Sequence, residues 1–255
     1  MSPGGRSERD TVSRRTRILI WRLFLVTMVL VVAWLVRGFR WSVVVQSAPF
    51  LLRGLRLSWI LTLISTGIGM VAGSVLAVLR VHGPPGVRHV VVAYIEIIRA
   101  TPQLMLIFWV FFTYPSLTGR TPDPSVSAIV SLSMIAAAYL AEVIRAGLSS
   151  VPRVQIETAY STGLNSWQIF SYVVFPQALR NMIPAFIAQF VMLFKTTSVV
   201  YVIGLVDFFR AIILVNNRDF APYALYATMA VGYFVCSYAL STVVRRLDPK
   251  YLLVS

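Results

Sequence analysis

The sequence predicts an all-α polytopic membrane protein, and its composition and hydropathy pattern carry that prediction. Of the 255 residues, 58% are hydrophobic and only 13% are charged, and the mean hydropathy is +0.77. Such a chain has too few polar side chains to cover a globular surface in water. A helix needs about 20 mostly apolar residues to cross a bilayer. Six stretches approach or exceed this length: 18–36, 55–79, 100–117, 125–141, 183–206 and 221–244.

The first apolar stretch follows a basic tail over residues 1–17. This arrangement could be a cleaved signal peptide. However, the stretch over 18–36 is long for a signal peptide, and no small-residue cleavage site follows it at residues 37–40. We therefore predict a retained additional transmembrane helix.

The basic residues predict the orientation of the chain. Lys and Arg are more frequent in the segments that share a side with the N-terminus, which favours both termini in the cytoplasm, including the tail over 245–255. The net charge of +14 is interpreted as topology signals and lipid contacts rather than nucleic-acid binding. Residues 87–98 follow a Gly-Pro-Pro-Gly turn, and they either lie along the membrane surface or begin the third span early.

One helix face of the second span carries small residues. Ser65, Gly69, Gly73 and Ala77 recur at every fourth position. Small side chains let two membrane helices approach closely, so this face is predicted to pack tightly, although glycine is also common in membrane helices in general.

The sequence offers little for catalysis or metal binding. Cys236 is the only cysteine, and His82 and His89 are joined by no Cys or carboxylate cluster. The only lysines are Lys195 and Lys250, and neither follows a glycine as a P-loop requires. We expect no metal site, no cofactor in this chain and no enzymatic activity of its own.

Lys195 lies within the fifth apolar stretch, where a charge is costly. It could attract a substrate carboxylate, or it could serve structure or gating. Thr196, Thr197 and Ser198 follow it and could hydrogen-bond a neighbouring helix or break this one locally. These four residues are the candidates for a substrate pathway or gate.

Two pairs of opposite charges are spaced three residues apart. Glu142 with Arg145, and Asp207 with Arg210, can each form an ion pair on one helix face. Both pairs are interpreted as structural.

A polar segment over residues 142–180 interrupts the apolar pattern and is predicted to be a cytoplasmic loop. Residues 155–162 can form two helical turns that end at Gly163, and Asn165 or Ser166 can cap a second short helix. A short helical hairpin of this kind could dock onto a partner.

This segment resembles the EAA loop of ABC importer permeases. That signature reads E-A-A, three residues, G, nine residues and I-x-L-P, and the chain keeps its spacing with Glu157, Thr158, Ala159, Gly163 and VVFP over 173–176. Thr158 replaces the first alanine of the signature, and valine and phenylalanine replace its isoleucine and leucine.

The resemblance extends beyond this loop. Over about 50–244 the chain is similar to the polar amino acid permeases of the histidine, glutamine and glutamate/aspartate type. It includes RATP (99–102), EVIRAG (142–147), PQALR (176–180), KTTS (195–198) and VYVIGLVDFFR (200–210). The resemblance implies a five-helix ABC type I importer permease core, to which the helix over 18–36 would be an addition.

In that family the loop helix couples the permease to an ATPase, so the resemblance implies that Gln155, Glu157, Thr158, Ala159 and Gly163 contact a cytoplasmic ABC ATPase dimer, which holds the ATP and magnesium. It also implies a second permease copy or homologous permease subunit, an extracytoplasmic amino-acid-binding protein and a place in the bacterial plasma (inner) membrane. The implied function is import of polar amino acids by alternating access, with glutamate/aspartate permeases as the nearest likeness. The alternatives are an ATPase-independent channel or ion-coupled carrier, and a membrane scaffold without transport.

Overall fold

The computed structural model describes residues 19–23, 26–28 and 37–247, with side chains to residue 242. The tail over 1–17, most of the predicted additional helix over 18–36, and residues 248–255 lie outside the described residues. From residue 41 onward the helices are α1 (Trp41–His82), α2 (Pro85–Ala100), α3 (Gln103–Thr118), α4 (Pro124–Ser149), α5 (Arg153–Ser161), α6 (Ser166–Ile169), α7 (Phe175–Thr196), α8 (Phe208–Asp219) and α9 (Pro222–Leu247).

Within the described residues, four helical stretches are long and apolar enough to cross a membrane. They are α1, α4, the continuous run Ser166–Ile203, and Pro222–Thr242 of α9. Helices α2 and α3 pass the same test together, but the chain bends by 112° between them. The all-α polytopic fold is therefore confirmed. Residues 87–98 belong to a separate helix, α2, because the Thr101-Pro102 step breaks the chain before α3 begins.

Helix α1 is longer than the predicted second span. It begins at Trp41 rather than at residue 55 and has 42 residues, about 63 Å at 1.5 Å per residue. Arg53 and Arg56 are exposed residues of this helix. The hydropathy pattern found only its most apolar part, because a helix that extends beyond the hydrocarbon layer can carry charges there.

The centre of the bundle is the contact between α1 and α4. Ser65, Gly69, Gly73 and Ala77 are all buried. A Cβ atom added at Gly69 would collide with the Ala136 side chain of α4. The predicted tight packing of this small-residue face is confirmed.

The predicted loop over 142–180 is shorter than expected. Residues 142–149 continue α4, and α6 runs through a π-helical turn, Phe170–Val174, directly into α7. Pro176 does not divide the segment, because it lies in the first turn of α7, where proline needs no backbone donor. At the other end of the chain, α9 extends to Leu247, three residues into the predicted tail over 245–255.

Candidate functional site

The candidate coupling segment is the helical hairpin of α5 and α6. Helix α5 begins after Pro152, whose extended backbone (ψ 135°) turns the chain away from α4. Helix α5 ends at Ser161, and Gly163 follows with φ +83°. This left-handed conformation is readily adopted by glycine and costs other residues free energy. The Gly163 amide donates to the Tyr160 carbonyl at 3.0 Å.

Helix α6 starts with a complete capping box. The Asn165 side chain accepts from the Gln168 amide at 2.9 Å, and the Gln168 side chain accepts from the Asn165 amide at 2.9 Å. This arrangement satisfies two amides at the helix start. The predicted order of helix, Gly163 and a second capped helix is therefore confirmed.

The predicted coupling residues do not all lie on the surface. Gln155, Glu157, Thr158 and Gly163 are exposed. Ala159 is only 7% exposed and lies on the buried face of α5. This position differs from the prediction that Ala159 contacts an ATPase directly. Its small side chain instead lets α5 pack closely against its own chain.

Exposed apolar residues on the hairpin were missed by the sequence analysis. Trp167 is 73% exposed, Tyr172 is 74% exposed, and Val154 and Tyr160 are also largely exposed. Large apolar side chains at the surface of a short polar segment mark an interaction surface. Val154 and Tyr160 lie on the short helix α5, whereas Trp167 and Tyr172 lie in the first turns of the apolar run Ser166–Ile203.

The hairpin is fixed to the bundle by a small apolar cluster. Val151, Ala178 and Met182 are buried there, and Ile156 of α5 packs against them. The Asn181 side chain of α7 also donates to Ser150 Oγ at 2.8 Å, at the end of α4. A force on α5 is therefore transmitted to both α4 and α7.

An ion-pair network lies near this end of the bundle. Arg145 Nε donates to Glu142 Oε1 at 3.1 Å, as the spacing predicted. Arg80 of α1 also donates to Glu142 Oε2 at 2.5 Å. One carboxylate thus joins α1 and α4, a partner that sequence spacing alone could not reveal.

The second predicted ion pair does not form. The carboxylate of Asp207 is fully buried and caps α8, where it accepts from the Phe209 and Arg210 amides at 3.1 and 3.0 Å. Arg210 Nη1 donates instead to the Tyr201 carbonyl at 2.7 Å. The prediction was wrong because a helix start offers Asp207 two amides without ordering a long side chain. Asp207 lies in the connection between spanning helices, and burial raises its pKa to about 6.

The candidate pathway residues lie where α7 ends. Thr196 Oγ1 donates to Gln103 Oε1 of α3 at 2.7 Å, and Thr197 is fully buried. The chain then continues as a 3₁₀ helix, Thr197–Ile203, which ends at Gly204 with φ +98°. Both expected effects are present: a hydrogen bond to a neighbouring helix and a local break of the α-helix.

Lys195 and Ser198 lie on either side of these buried threonines. The Lys195 side chain is exposed, and no acidic group pairs with it in the part of the chain that the structure describes. The Ser198 hydroxyl donates to the Lys195 carbonyl at 2.7 Å. Thr196 and Thr197 are therefore buried within the chain, whereas Lys195 remains available to solvent, ligand or another subunit.

Comparison with known proteins agrees with this architecture. Residues 65–252 match the family described as binding-protein-dependent transport system inner membrane component. The chain therefore belongs to this family, and its relatives place it among the ABC importer permeases of the polar amino acid type.

Two bacterial relatives illustrate the similarity. The glutamate/aspartate import permease protein GltK of Escherichia coli is 35% identical over 219 residues, which is 83% of this chain and 98% of the relative. A probable glutamine ABC transporter permease, GlnP of Bacillus subtilis, is 35% identical over 201 residues, which is 77% of this chain and 89% of the relative.

The fold is similar to that of solved transporters. A chain in the crystal structure of an amino acid ABC transporter with histidines superposes with a TM-score of 0.76 at 28% identity, covering 81% of this chain and 96% of that chain. An inward-facing methionine transporter, MetNI, gives a TM-score of 0.67 at 22% identity, covering 79% and 96%, which supports the fold alone.

Proposed function

We propose that this chain forms half of an ATP-driven importer for polar amino acids, with its α5–α6 hairpin docked on a cytoplasmic ABC ATPase. The observation that carries the proposal is the hairpin itself, a rigid, exposed unit fixed to both α4 and α7. ATP and magnesium are expected in the ATPase, and the remaining partners are a second permease subunit and an extracytoplasmic amino-acid-binding protein. This arrangement orients both termini of the chain toward the cytoplasm.

The exposed face of the hairpin supports an ATPase contact. Glu157 can accept charge-assisted hydrogen bonds from a partner, and Gln155 and Thr158 lie on the exposed side of the same helix. Exposed Trp167 and Tyr172 add the aromatic surface that is enriched at interfaces. A polar helix bordered by aromatic residues fits a groove in another protein better than it fits lipid.

Gly163 offers a sharp test, because proline fixes φ near −65° and cannot adopt the observed +83°. We expect Gly163→Pro to separate ATP hydrolysis from uptake in proteoliposomes that contain the copurified complex. Uptake should fall by about ten-fold or more, the effect of losing roughly 1.4 kcal/mol of docking free energy.

Gly119 provides the matched control for this test. It also has positive φ, at +66°, an added Cβ there would meet no other atom within 4 Å, and it ends α3 at the opposite end of the bundle. Gly119→Pro should disturb the backbone similarly but leave hydrolysis and uptake coupled. Equal effects of the two substitutions would refute the docking role.

Glu157→Lys tests the same contact without changing the backbone. It should reduce copurification of the ATPase, whereas Glu157→Gln should retain much of it, since an amide oxygen still accepts a hydrogen bond. If the wild-type chain copurifies with no ATPase and conducts substrate alone in liposomes, the channel or carrier alternative replaces the importer.

For the substrate, we propose that glutamate and aspartate be tested first. The support is the 35% identity to a glutamate/aspartate import permease over nearly its whole length. Uptake of labelled L-glutamate, with competition by each unlabelled amino acid, decides this point. Uptake of another amino acid without glutamate would change the substrate but leave the importer in place.

Lys195 and the three residues that follow it, Thr196, Thr197 and Ser198, are proposed to form part of the pathway or its gate. The support is that the exposed lysine lies at the point where the α-helix α7 changes to a 3₁₀ helix. Lys195→Met should impair uptake while leaving the ATPase bound. A selective loss of acidic substrates would favour substrate contact over a structural or gating role.

A further inference from the structure

Two arginines on the outward face of α1 take no part in the coupling hairpin or the proposed pathway. Arg53 and Arg56, here called the arginine pair, are exposed, and a spacing of three residues places them on one helix face. Further along the same face, Ile60, Leu63 and Ile64 are 39%, 58% and 42% exposed. The arginine pair is therefore followed by an exposed apolar surface.

The length of α1 places the arginine pair near a membrane boundary. Residues 57–79, between Arg56 and Arg80, carry no charge. Along the helix axis these two arginines are about 36 Å apart at the usual rise per residue. The hydrocarbon core of a bilayer is about 30 Å thick, and the bilayer with its headgroups is about 40–45 Å thick. Arg56 and Arg80 therefore lie among the lipid headgroups on opposite sides of the bilayer.

The start of the neighbouring helix α4 supports the same boundary. Ser65 Oγ of α1 donates to the Ile129 carbonyl of α4 at 3.5 Å, which relates the levels of the two helices. The helices run in the same direction, since they also contact each other further along both. Asp123 caps the start of α4, so this charged residue is level with about residue 59 of α1. A charged cap of a spanning helix lies outside the hydrocarbon, which agrees with a headgroup position of the arginine pair.

Both guanidinium groups have donors to spare. Arg53 Nε donates to the Pro49 carbonyl at 3.3 Å, and the guanidinium lies 5.9 Å from the centre of the Phe50 ring. Both contacts are nearer the start of α1, so this side chain points away from the hydrocarbon. Within residues 37–242, Arg56 has no hydrogen-bond partner, and no carboxylate pairs with either arginine.

The protein does not compensate the charge of the arginine pair from α8 either. Asp207 is buried as the cap of α8, and Asp219 at its other end pairs with Arg218. Two uncompensated guanidinium groups at the headgroup level attract anions, and phosphate oxygens accept their hydrogen bonds. An anionic phospholipid is favoured over a zwitterionic one, because its headgroup brings no cation close to the arginines.

We propose that the arginine pair binds the phosphate of one anionic phospholipid, whose acyl chains lie along the exposed apolar face of Ile60, Leu63 and Ile64. The bound lipid holds this part of α1 at the membrane boundary. The proposal goes beyond the import function and does not depend on it, because it rests on α1 and the bilayer alone.

Occupancy of this face can be measured with a fluorophore and brominated lipids. Ile60→Cys in a Cys236→Ala background gives the chain a single thiol at the proposed lipid contact, since Cys236 is the only cysteine. The labelled full chain is placed in nanodiscs of dioleoylphosphatidylcholine with a minor share of dioleoylphosphatidylglycerol. Bromine on the acyl chains of either lipid quenches the fluorophore by contact, and the lipid composition is the same in both cases.

The anionic lipid should be enriched at the label. Quenching per brominated phosphatidylglycerol should exceed that per brominated phosphatidylcholine by about five-fold or more, the equivalent of roughly 1 kcal/mol. This is the attraction of a single arginine to an anionic lipid surface. Arg53→Gln together with Arg56→Gln should remove the preference. Arg53→Lys together with Arg56→Lys should retain part of it, because the charge is kept.

Two exposed arginines outside this face provide the matched control. Arg88→Gln together with Arg120→Gln removes the same charge from the chain and should leave the preference unchanged. Thermal unfolding of each variant checks that the protein remains folded.

Equal quenching by the two lipids without substitution of the arginine pair overturns the proposal, and so does a preference that survives its replacement by glutamine. An equal loss in the control variant would show attraction by net charge alone, which also overturns it. If neither lipid quenches the label, protein covers this face and the lipid site is wrong. None of these outcomes depends on transport, so the proposed function is tested separately.

Discussion

Gly73→Ala is the clearest test of the packing at the centre of the bundle. A Cβ atom at position 73 would lie 2.9 Å from the Ala137 carbonyl oxygen and 3.1 Å from the Ala141 amide nitrogen. It would also lie 3.1 Å from Leu140 Cβ. Two of these atoms belong to the backbone of α4 and cannot rotate away. The added methyl group must therefore separate α1 from α4.

The expected cost is that of overpacking a core, about 1–3 kcal/mol. For chains of 150–250 residues each kcal/mol lowers Tm by about 2–4 °C, so Gly73→Ala should lower Tm by about 2–12 °C. The assay is thermal unfolding of the purified chain in detergent, followed by tryptophan fluorescence.

Gly67 provides the control on the same helix, because no atom lies within 4 Å of an added Cβ there. Gly67→Ala should leave Tm unchanged or raise it slightly, since alanine favours a helix more than glycine does. The reasoning fails if the two variants melt at the same temperature.

Three further substitutions test individual polar contacts by the same thermal-unfolding assay. Glu142→Gln leaves the Arg80 guanidinium without its anion and should lower the free energy of unfolding by about 1–3 kcal/mol. Arg80→Gln should cost less in the Glu142→Gln background than in the wild-type chain. Additive losses would argue against a direct interaction. The pKa of Asp207 is raised from 3.8 to about 6, so the folded state binds this proton more tightly and its contribution to stability is full below about pH 4. That contribution should fall by about 3 kcal/mol in all as the pH rises through about 6. Asp207→Asn keeps a capping side chain and should flatten this dependence, and an unchanged slope would contradict the assignment. Thr196→Val leaves the Gln103 amide oxygen without its donor and should cost about 1–2 kcal/mol, whereas Thr196→Ser should cost less; equal losses would show that the hydroxyl contributes little.

The coupling hairpin could be predicted from sequence because its signals are local. Gly163 supplies the left-handed residue that ends α5, and Asn165 with Gln168 forms a capping box within four residues. Each signal acts through backbone groups close in sequence, so no tertiary information is needed. The small-residue face of α1 could also be predicted from sequence, since close approach of two helices requires a row of small side chains at helical spacing.

The extent of the long helices could not be predicted in the same way. Apolar composition reports which residues can lie in lipid, whereas a helix continues as long as its backbone hydrogen bonds do. Helix α1 therefore runs on past Arg53 and Arg56, and α6 continues through a π-helical turn into α7 despite Pro176. Proline in the first helical turn needs no donor, so it marked the start of α7 rather than a break.

Side-chain partners depend on the tertiary fold, and the site shows why. Spacing suggested that Asp207 pairs with Arg210, but the buried carboxylate caps its own helix. Ala159 belongs to the segment expected to touch an ATPase, yet it faces its own chain. Ala159 is buried where α5 meets α6 and the π-helical turn, and Gln155 and Glu157 remain on the outer side. Replacing Ala159 should therefore disturb coupling indirectly, by lifting the helix that presents Glu157.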